Sequence, residues 1–239
     1  MKYQHILGMA SAKTRKGESL GYLTGICYLS PAKLSLVINV CPWAGNCRKI
    51  CLNWAGRGAM NSVQKARRNK TVLYKENRGL FMENARLDIL ALERKAKREG
   101  MTPCVRPNGT SDIRFHHLVV PSTGKTLMQE FPHIQFYDYT KDFVKMGEYL
   151  MGKLPNNYHL TFSYDGDDTN WLDCQGILAH GGNVAVVFRK TIPTEWRGYK
   201  VIDGDHHDLR FLDPQGPVIV GLKAKGRAKK DQSGFVVDL

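Results

Sequence analysis

A chain of 239 residues that is 42% hydrophobic and 24% charged has the composition of a globular protein able to bury a sizeable core. Its 35 Lys and Arg outweigh 22 Asp and Glu, and a net charge of +13 favours nucleic acid or an anionic small molecule as partner, although basic residues spread over solvated helix faces give the same sum. No stretch approaches the ~20 apolar residues of a membrane span, and the first ten residues are too interrupted for a signal peptide. The expectation is a cytoplasmic protein without a membrane partner, its six cysteines free or metal-bound and not paired as disulfides.

In chain order, residues 1–28 read as a loop or N-terminal arm with a short strand at most, Gly- and Ser-rich with scattered charge over Ser11 to Gly17. Leu34 to Val40 reads as the first buried strand, and it runs directly into a cysteine loop over 41–51. Ser62 to Lys75 has helical spacing at Val63, Ala66 and Leu73, Ser62 as a cap, and basic residues on its other faces. Asn84 to Glu99 follows as a second helix, capped by Asn84, with Leu87, Leu90 and Ala91 inward, Glu93 four residues before Lys97, and Gly100 as its stop. Six short apolar runs come next: Met101 to Pro107, Ile134 to Thr140, Tyr158 to Tyr164, Asn183 to Phe188, Tyr199 to Asp203 and Pro217 to Leu222. Helix-like connections at Lys125 to Phe131, Phe143 to Lys153 and Trp171 to Ala179 separate them, the alternation of a mostly parallel sheet. One α/β domain over 1–239 follows, a partial or irregular β/α barrel with a doubly wound open sheet as rival, and 226–239 as a basic C-terminal tail.

Polar residues recur where these strands end: Asn108 to Asp112, Asp138 to Lys141, Ser163 to Asp167, Arg189 and Lys190, Asp203 to Arg210, Lys223 and Lys225. In a parallel arrangement these ends share one mouth with the cysteine loop. Arg189, Lys190, Lys223 and Lys225 are suited there to an anionic substrate. Asn156-Asn157 is read as a turn, His116 and His117 as surface, and His206 and His207 as mouth residues.

Cys41, Cys47 and Cys51 fall within eleven residues, and Gly45 permits the loop to bend back on itself. Three chemistries suit that spacing. A structural zinc needs a fourth ligand, for which Cys104 is the nearest candidate; an iron–sulfur cluster on three cysteines keeps one iron open; three unrelated buried thiols need no metal. Cys104 and Cys174 read as core thiols, and Cys27 is unassigned.

The blocks Cys41-Pro-x-Ala-x-x-Cys47-x-x-x-Cys51-Leu-x-x-Ala-Gly-Arg57, Ala66-Arg67-x-x-Lys70-Thr71, Val105 to Ile113, Asn183 to Phe188 and Asp203 to Phe211 resemble the phage "gene product 88" family, over roughly residues 30 to 230. More distantly the layout is similar to radical S-adenosylmethionine enzymes, in which a loop after the first strand of a partial barrel brings three cysteines to a [4Fe-4S] cluster. The spacing here, Cys-x5-Cys-x3-Cys, differs from the Cys-x3-Cys-x2-Cys of that superfamily, and no Gly-Gly-Glu run follows the second strand. The resemblance implies Cys41, Cys47 and Cys51 as cluster ligands, and Asn108, Ser111 and Asp112 beside the amino group of S-adenosylmethionine. It implies Ser163 and Asp165 near the ribose or carboxylate of that cofactor, and the host cytoplasm as location. Two functions follow from it: a radical enzyme, or a non-catalytic iron–sulfur protein that binds nucleic acid or a host protein.

Overall fold

A computed structural model describes residues 3–9 and 12–239. The chain opens with β1 (Leu7–Gly8), α1 (Ala12–Glu18) and β2 (Tyr22–Cys27), followed by α2 (Asn61–Glu76), α3 (Arg78–Glu99) and β3 (Thr102–Arg106). A small hairpin of β4 (Val119–Val120) and β5 (Lys125–Thr126) precedes α4 (Leu127–Glu130), β6 (Gln135–Thr140), α5 (Phe143–Leu150) and β7 (Tyr158–Ser163). The last part holds α6 (Asp168–Ala179), β8 (Val184–Phe188), β9 (Glu195–Trp196), β10 (Tyr199–Asp203), β11 (Ile219–Lys223) and β12 (Val236–Val237).

One sheet carries the order β1-β2-β3-β6-β7-β8-β11-β10-β9. From β2 to β10 every pairing is parallel, while β1 and β9 lie antiparallel at the two edges. The order follows the chain as far as β8 and then inverts, because β11 inserts between β8 and β10; the edges do not meet, and the fold is mixed α/β around an open sheet. Strand composition accounts for the layering. β8 reads Val-Ala-Val-Val-Phe, the near-continuous apolar run of a strand covered on both faces. Alternation in β6 sends Phe136 toward the core that contains Phe81, Ile89 and Leu92 of α3, and Tyr137 to the opposite face with Cys104 and Leu209. Helices α3, α5 and α6 cover the first face. The second is covered by the segment that carries Leu209 and by a 3-10 turn at Arg210–Leu212, which packs on β6 and β7.

Asp88 of α3, fully buried, accepts the amides of Ile6 at 2.6 Å and Leu7 at 2.9 Å and so fastens β1 to the helix. The cap of α3 is Asn77, whose side chain accepts the Leu80 amide at 2.9 Å, and Gly100 stops the helix in the left-handed conformation at φ +66. Asn77→Ala is expected to lower stability by about 1 kcal/mol, read as a shifted denaturant midpoint at unchanged slope.

Several sequence expectations are corrected. Leu34 to Val40 forms turns, not a strand; Leu36 sits exposed at φ +66, and the first parallel strand is β2, inside the stretch expected to be an arm. Residues 12–17 of the charged run lie in α1, which ends at Glu18, and Ser11 lies outside the described residues. Helix α2 starts from Met60 without a side-chain cap, and α3 begins a turn and a half before Asn84, which is buried mid-helix while Leu87 is exposed. Glu93 pairs with His133. Asn157 does more than turn the chain: its amide donates to the carbonyls of Met128, Phe131 and Ile134 at 3.0–3.1 Å. Residues 226–239 fold back as a short 3-10 helix and β12, with Ala228, Asp231 and Val236 buried. Among the described residues no helix is long and apolar enough to cross a membrane.

Candidate functional site

The cysteine loop lies across the C-terminal ends of the parallel strands, held there by contacts with several of them. The loop after β3 ties it to the first strand: Gly109 donates to Cys27 O at 2.8 Å, Thr110 Oγ1 to Leu29 O at 2.6 Å, and Asp112 N to Val40 O at 2.8 Å. The Cys41 thiol in turn faces Thr110 O at 3.4 Å. At the middle of the loop, Asn46 Nδ2 donates to Asp165 O at 3.1 Å, beyond β7, and to Ser233 O at 3.2 Å, before β12. The last part rests on α2. Asn53, fully buried, donates to Gln64 Oε1 at 3.0 Å, and its two oxygens accept from Arg67, whose guanidinium also lies 5.0 Å from the Tyr28 ring centre.

Arg67 is buried because it shares the inward face of α2 with Thr71 and Tyr74, at spacings of four and seven residues. That spacing was present in the sequence. An arginine at such a position signals an internal partner, whereas the basic residues at 65, 68 and 75 remain exposed.

Among the six cysteines, Cys27, Cys104 and Cys174 are buried, while Cys41, Cys47 and Cys51 are partly exposed. Burial pushes the Cys41 thiol up to about 12, and the neighbouring Cys51 and Cys47 push it further in the same direction. Cys51 is raised chiefly by burial and also by Cys47, against the Asn53 amide and the positive charges of Arg67 and Lys141. Cys41 and Cys51 are thus each disfavoured as thiolates by the neighbouring loop cysteines, and Cys51 faces two cations. One tetrahedral zinc, with Zn–S of about 2.3 Å, gathers its sulfurs to within roughly 4 Å of each other. The loop thiols do not form a group with all donor atoms within 4.8 Å. Cys104 offers no fourth ligand: it is fully buried in β3 with its sulfur 3.2 Å from Thr24 Oγ1, among Tyr137 and Leu209.

The residues expected to hold a cofactor divide into two groups. Asn108, Ser111 and Asp112 are committed to the protein itself. Asn108 donates to Asp138 Oδ2 at 2.8 Å and Ile113 O at 3.0 Å, and its oxygen accepts Ser111 Oγ and the Ile113 amide, both at 2.8 Å. Asp112 accepts Thr140 Oγ1 at 2.9 Å, the Lys141 amide at 2.8 Å and Lys145 Nζ at 2.6 Å. Ser163 ends β7, half-buried. Asp165 differs from all of these, because it is 7% exposed and its Oδ1 is buried without a hydrogen-bond partner. Burial raises its pKa, Lys141 opposes the rise and Asp167 adds to it. Its carboxylate lies against Gly45 so closely that a Cβ there would overlap Oδ2. Glycine therefore serves here for close approach as much as for the bend.

Lys141 was read from the sequence as one of the polar strand ends at the mouth, without a role of its own. It interacts with Cys51 and Asp165, and its ammonium lies 5.1 Å from the Phe235 ring centre. Its position directly after β6 was the available signal.

The remaining strand ends mostly serve the fold. Arg189 grips the C-terminal segment through Lys229 O at 2.7 Å, Asp231 O at 2.6 Å and Asp238. Lys225 pairs with Asp205 at 2.6 Å; Lys190 and Lys223 are exposed. In the 203–210 stretch, His206 is exposed, His207 lies beside Arg210, and Asp208 pairs with Arg106 at 2.6 Å beneath the sheet. His116, expected at the surface, is 7% exposed.

No curated protein and no solved structure matches the chain. The family model described as Gene product 88 matches residues 6–239. With nearly its whole length matched, the chain belongs to the Gene product 88 family.

Proposed function

We propose that the chain is a phage-type iron–sulfur protein whose Cys41, Cys47 and Cys51 hold a [4Fe-4S] cluster with one iron open to a small ligand, as in radical S-adenosylmethionine enzymes. The observation that carries this reading is the segregation of the cysteines. The loop holds the partly exposed thiols, it spans the strand ends, and Cys51 faces Lys141 and Arg67. A polynuclear cluster takes one cysteine per iron, so it asks for less closeness of the three sulfurs than a single zinc does. With S-adenosylmethionine bound, such a cluster supplies one-electron cleavage of a C–S bond.

In this reading the residues of the chain divide the remaining work. Lys141 and Arg67 offset thiolate charge, and Asn108, Ser111 and Asp112 brace the backbone under Cys41. Asp165, with Oδ2 against the loop at Gly45 and Oδ1 unpartnered, takes the cationic part of the bound cofactor, and Ser163 stands beside it at the end of β7. A basic groove of about 520 Å³ between Trp54 and α2, with Lys65 and Arg68 on its wall, extends the site toward an anionic substrate or nucleic acid.

A second reading rests on the filled inner face. Arg106, Asp208 and the fully buried Arg210 occupy the side of the sheet where a partial barrel holds its substrate. This favours a non-catalytic cluster protein that binds nucleic acid or a host protein. The two readings separate in an anaerobic preparation with iron and sulfide analysis and electron paramagnetic resonance of the reduced protein. A cluster signal altered by S-adenosylmethionine is the expected result. A cluster indifferent to it leaves the second reading, and a preparation that neither retains nor accepts iron overturns both.

A further inference from the structure

Directly after the loop that braces Cys41, the chain makes a 3-10 turn, Phe115–His117, anchored by the buried Phe115. His116 points inward from this turn with a side chain 2% exposed, and neither ring nitrogen has a hydrogen-bond partner. A neutral imidazole has one N–H to donate and one lone pair to satisfy, so both of its polar needs are unmet. Glu148 of α5 faces it, with Oε2 3.8 Å from His116 Nε2 and likewise buried and unpartnered. His117 stacks edge-on against His116 with ring centres 4.1 Å apart and is itself exposed. One donor atom from each of the three lies within 4.8 Å of the others.

Native interiors rarely keep a buried polar atom unpaired, and here His116 and Glu148 turn such atoms toward each other with a second imidazole beside them. We propose that His116, His117 and Glu148 form a divalent-metal site, separate from the cysteine loop, that takes Zn2+ or a similar borderline ion and leaves a fourth position for water. Two imidazoles and one carboxylate are a donor set that zinc uses when it keeps a position open. The two nearby cations are already paired, Arg114 with Asp142 through bonds of 2.6 and 2.9 Å and Lys145 with Asp112 at 2.6 Å, and Glu148 is the carboxylate that faces the histidines. Donors on one zinc sit about 3.4 Å apart, so the group closes by a small turn of His117 and Glu148, the two more exposed members. A bound ion clamps the turn after β3 to α5.

Cobalt is the probe that tells this site from the thiols. Titration of the purified full-length chain with Co2+ is expected to show one equivalent with weak visible bands and no sulfur charge-transfer absorption, whatever the cysteine loop binds. His117→Ala and Glu148→Gln leave the buried core intact and are each expected to weaken that equivalent at least tenfold. The sulfur bands stay unchanged in both variants. Cobalt bound solely through sulfur, or the same sulfur-free equivalent in wild type and both variants, overturns the site. Iron content does not enter this readout, so it stands apart from the proposed cluster.

Discussion

Alanine at Asp138 is expected to cost the protein about 4 kcal/mol, close to the largest effect of a single substitution outside the apolar core. Asp138 is fully buried in β6, and its carboxylate accepts the Asn108 amide at 2.7 Å, Asn108 Nδ2 at 2.8 Å and Tyr158 Oη at 2.8 Å. Truncation strands these donors away from water, and each buried donor left alone costs about 1–3 kcal/mol. The effect also reaches the mouth, because Asn108 pins Ser111 and the Ile113 amide and thereby the loop beneath Cys41. Asp138→Asn keeps an acceptor and the shape, and is expected to cost about half as much.

The pH dependence separates charge from shape. Burial raises the Asp138 pKa to about 6 despite the opposing effects of Lys145 and Arg106. Unfolded, the group titrates near 3.9. Between these values the folded protein holds a proton that the unfolded chain has released, so this contribution is complete below about pH 4 and is lost as pH rises through about 6. Asp213, raised to about 6 by burial, acts in the same direction. His159, lowered to about 4 by burial and then Arg210, acts in the opposite one: its contribution is present above about pH 6.5 and is lost as pH falls through 4. The wild-type curve is therefore shallow, and the contrast with Asp138→Asn carries the result. Relative to wild type, the variant should gain stability from pH 4 to pH 7, measured by urea unfolding across that range. A constant difference would show that Asp138 stays ionised throughout.

Where hydrophobic period dominated, the sequence was legible. The six runs after Gly100 coincide with β3, β6, β7, β8, β10 and β11: β8 and β11 are nearly continuous apolar runs, and in β6 apolar and aromatic residues alternate between the two faces. Leu34 to Val40 has the same composition and is no strand, since its backbone enters the left-handed region at Leu36 and its apolar side chains stay largely exposed. The strand it displaced, β2, was hidden by Thr24 and Gly25, which suit a sheet only because Thr24 meets Cys104 and Gly25 admits Leu7 and Leu92. At the site, the cysteines and the strand ends were visible as motifs. What Asn108 and Asp112 do was not, because a turn, a ligand contact and an internal brace call for the same short polar side chains. Arg67, Lys141 and Asp165 acquire their roles only from the long-range contacts that set their burial.

The second large effect is expected at Gly166, where the C-terminal segment meets the end of β7. β7 pairs with β8 only as far as Ser163↔Ala185, and β12 takes over the same edge of β8 at Val236↔Val187. The gap that opens where β7 and β8 part is thus closed by the chain's own tail. That closure depends on backbone-to-backbone approach. Gly166 has φ +95, and a Cβ there would overlap the carbonyl carbon of Gly234 and the amide of Phe235. No rotamer change relieves such a clash, so Gly166→Ala is expected to lose about 3 kcal/mol or to release β12. Gly176→Ala is the control: within α6 its Cβ meets nothing within 4 Å, and the change should be neutral or stabilising by about 0.5–1 kcal/mol. Release has a specific consequence for the cysteine loop, since Asn46 is shared between Asp165 O and Ser233 O and Phe235 lies over Lys141. In the Gly166 variant the amides of Val236 and Val237 should lose hydrogen-exchange protection, and Cys47 should alkylate roughly tenfold faster, a ratio worth about 1.4 kcal/mol of local opening. If the tail loosens while thiol reactivity holds, α2 and the loop after β3 suffice to hold the cysteines, and the tail closes the gap without supporting the loop.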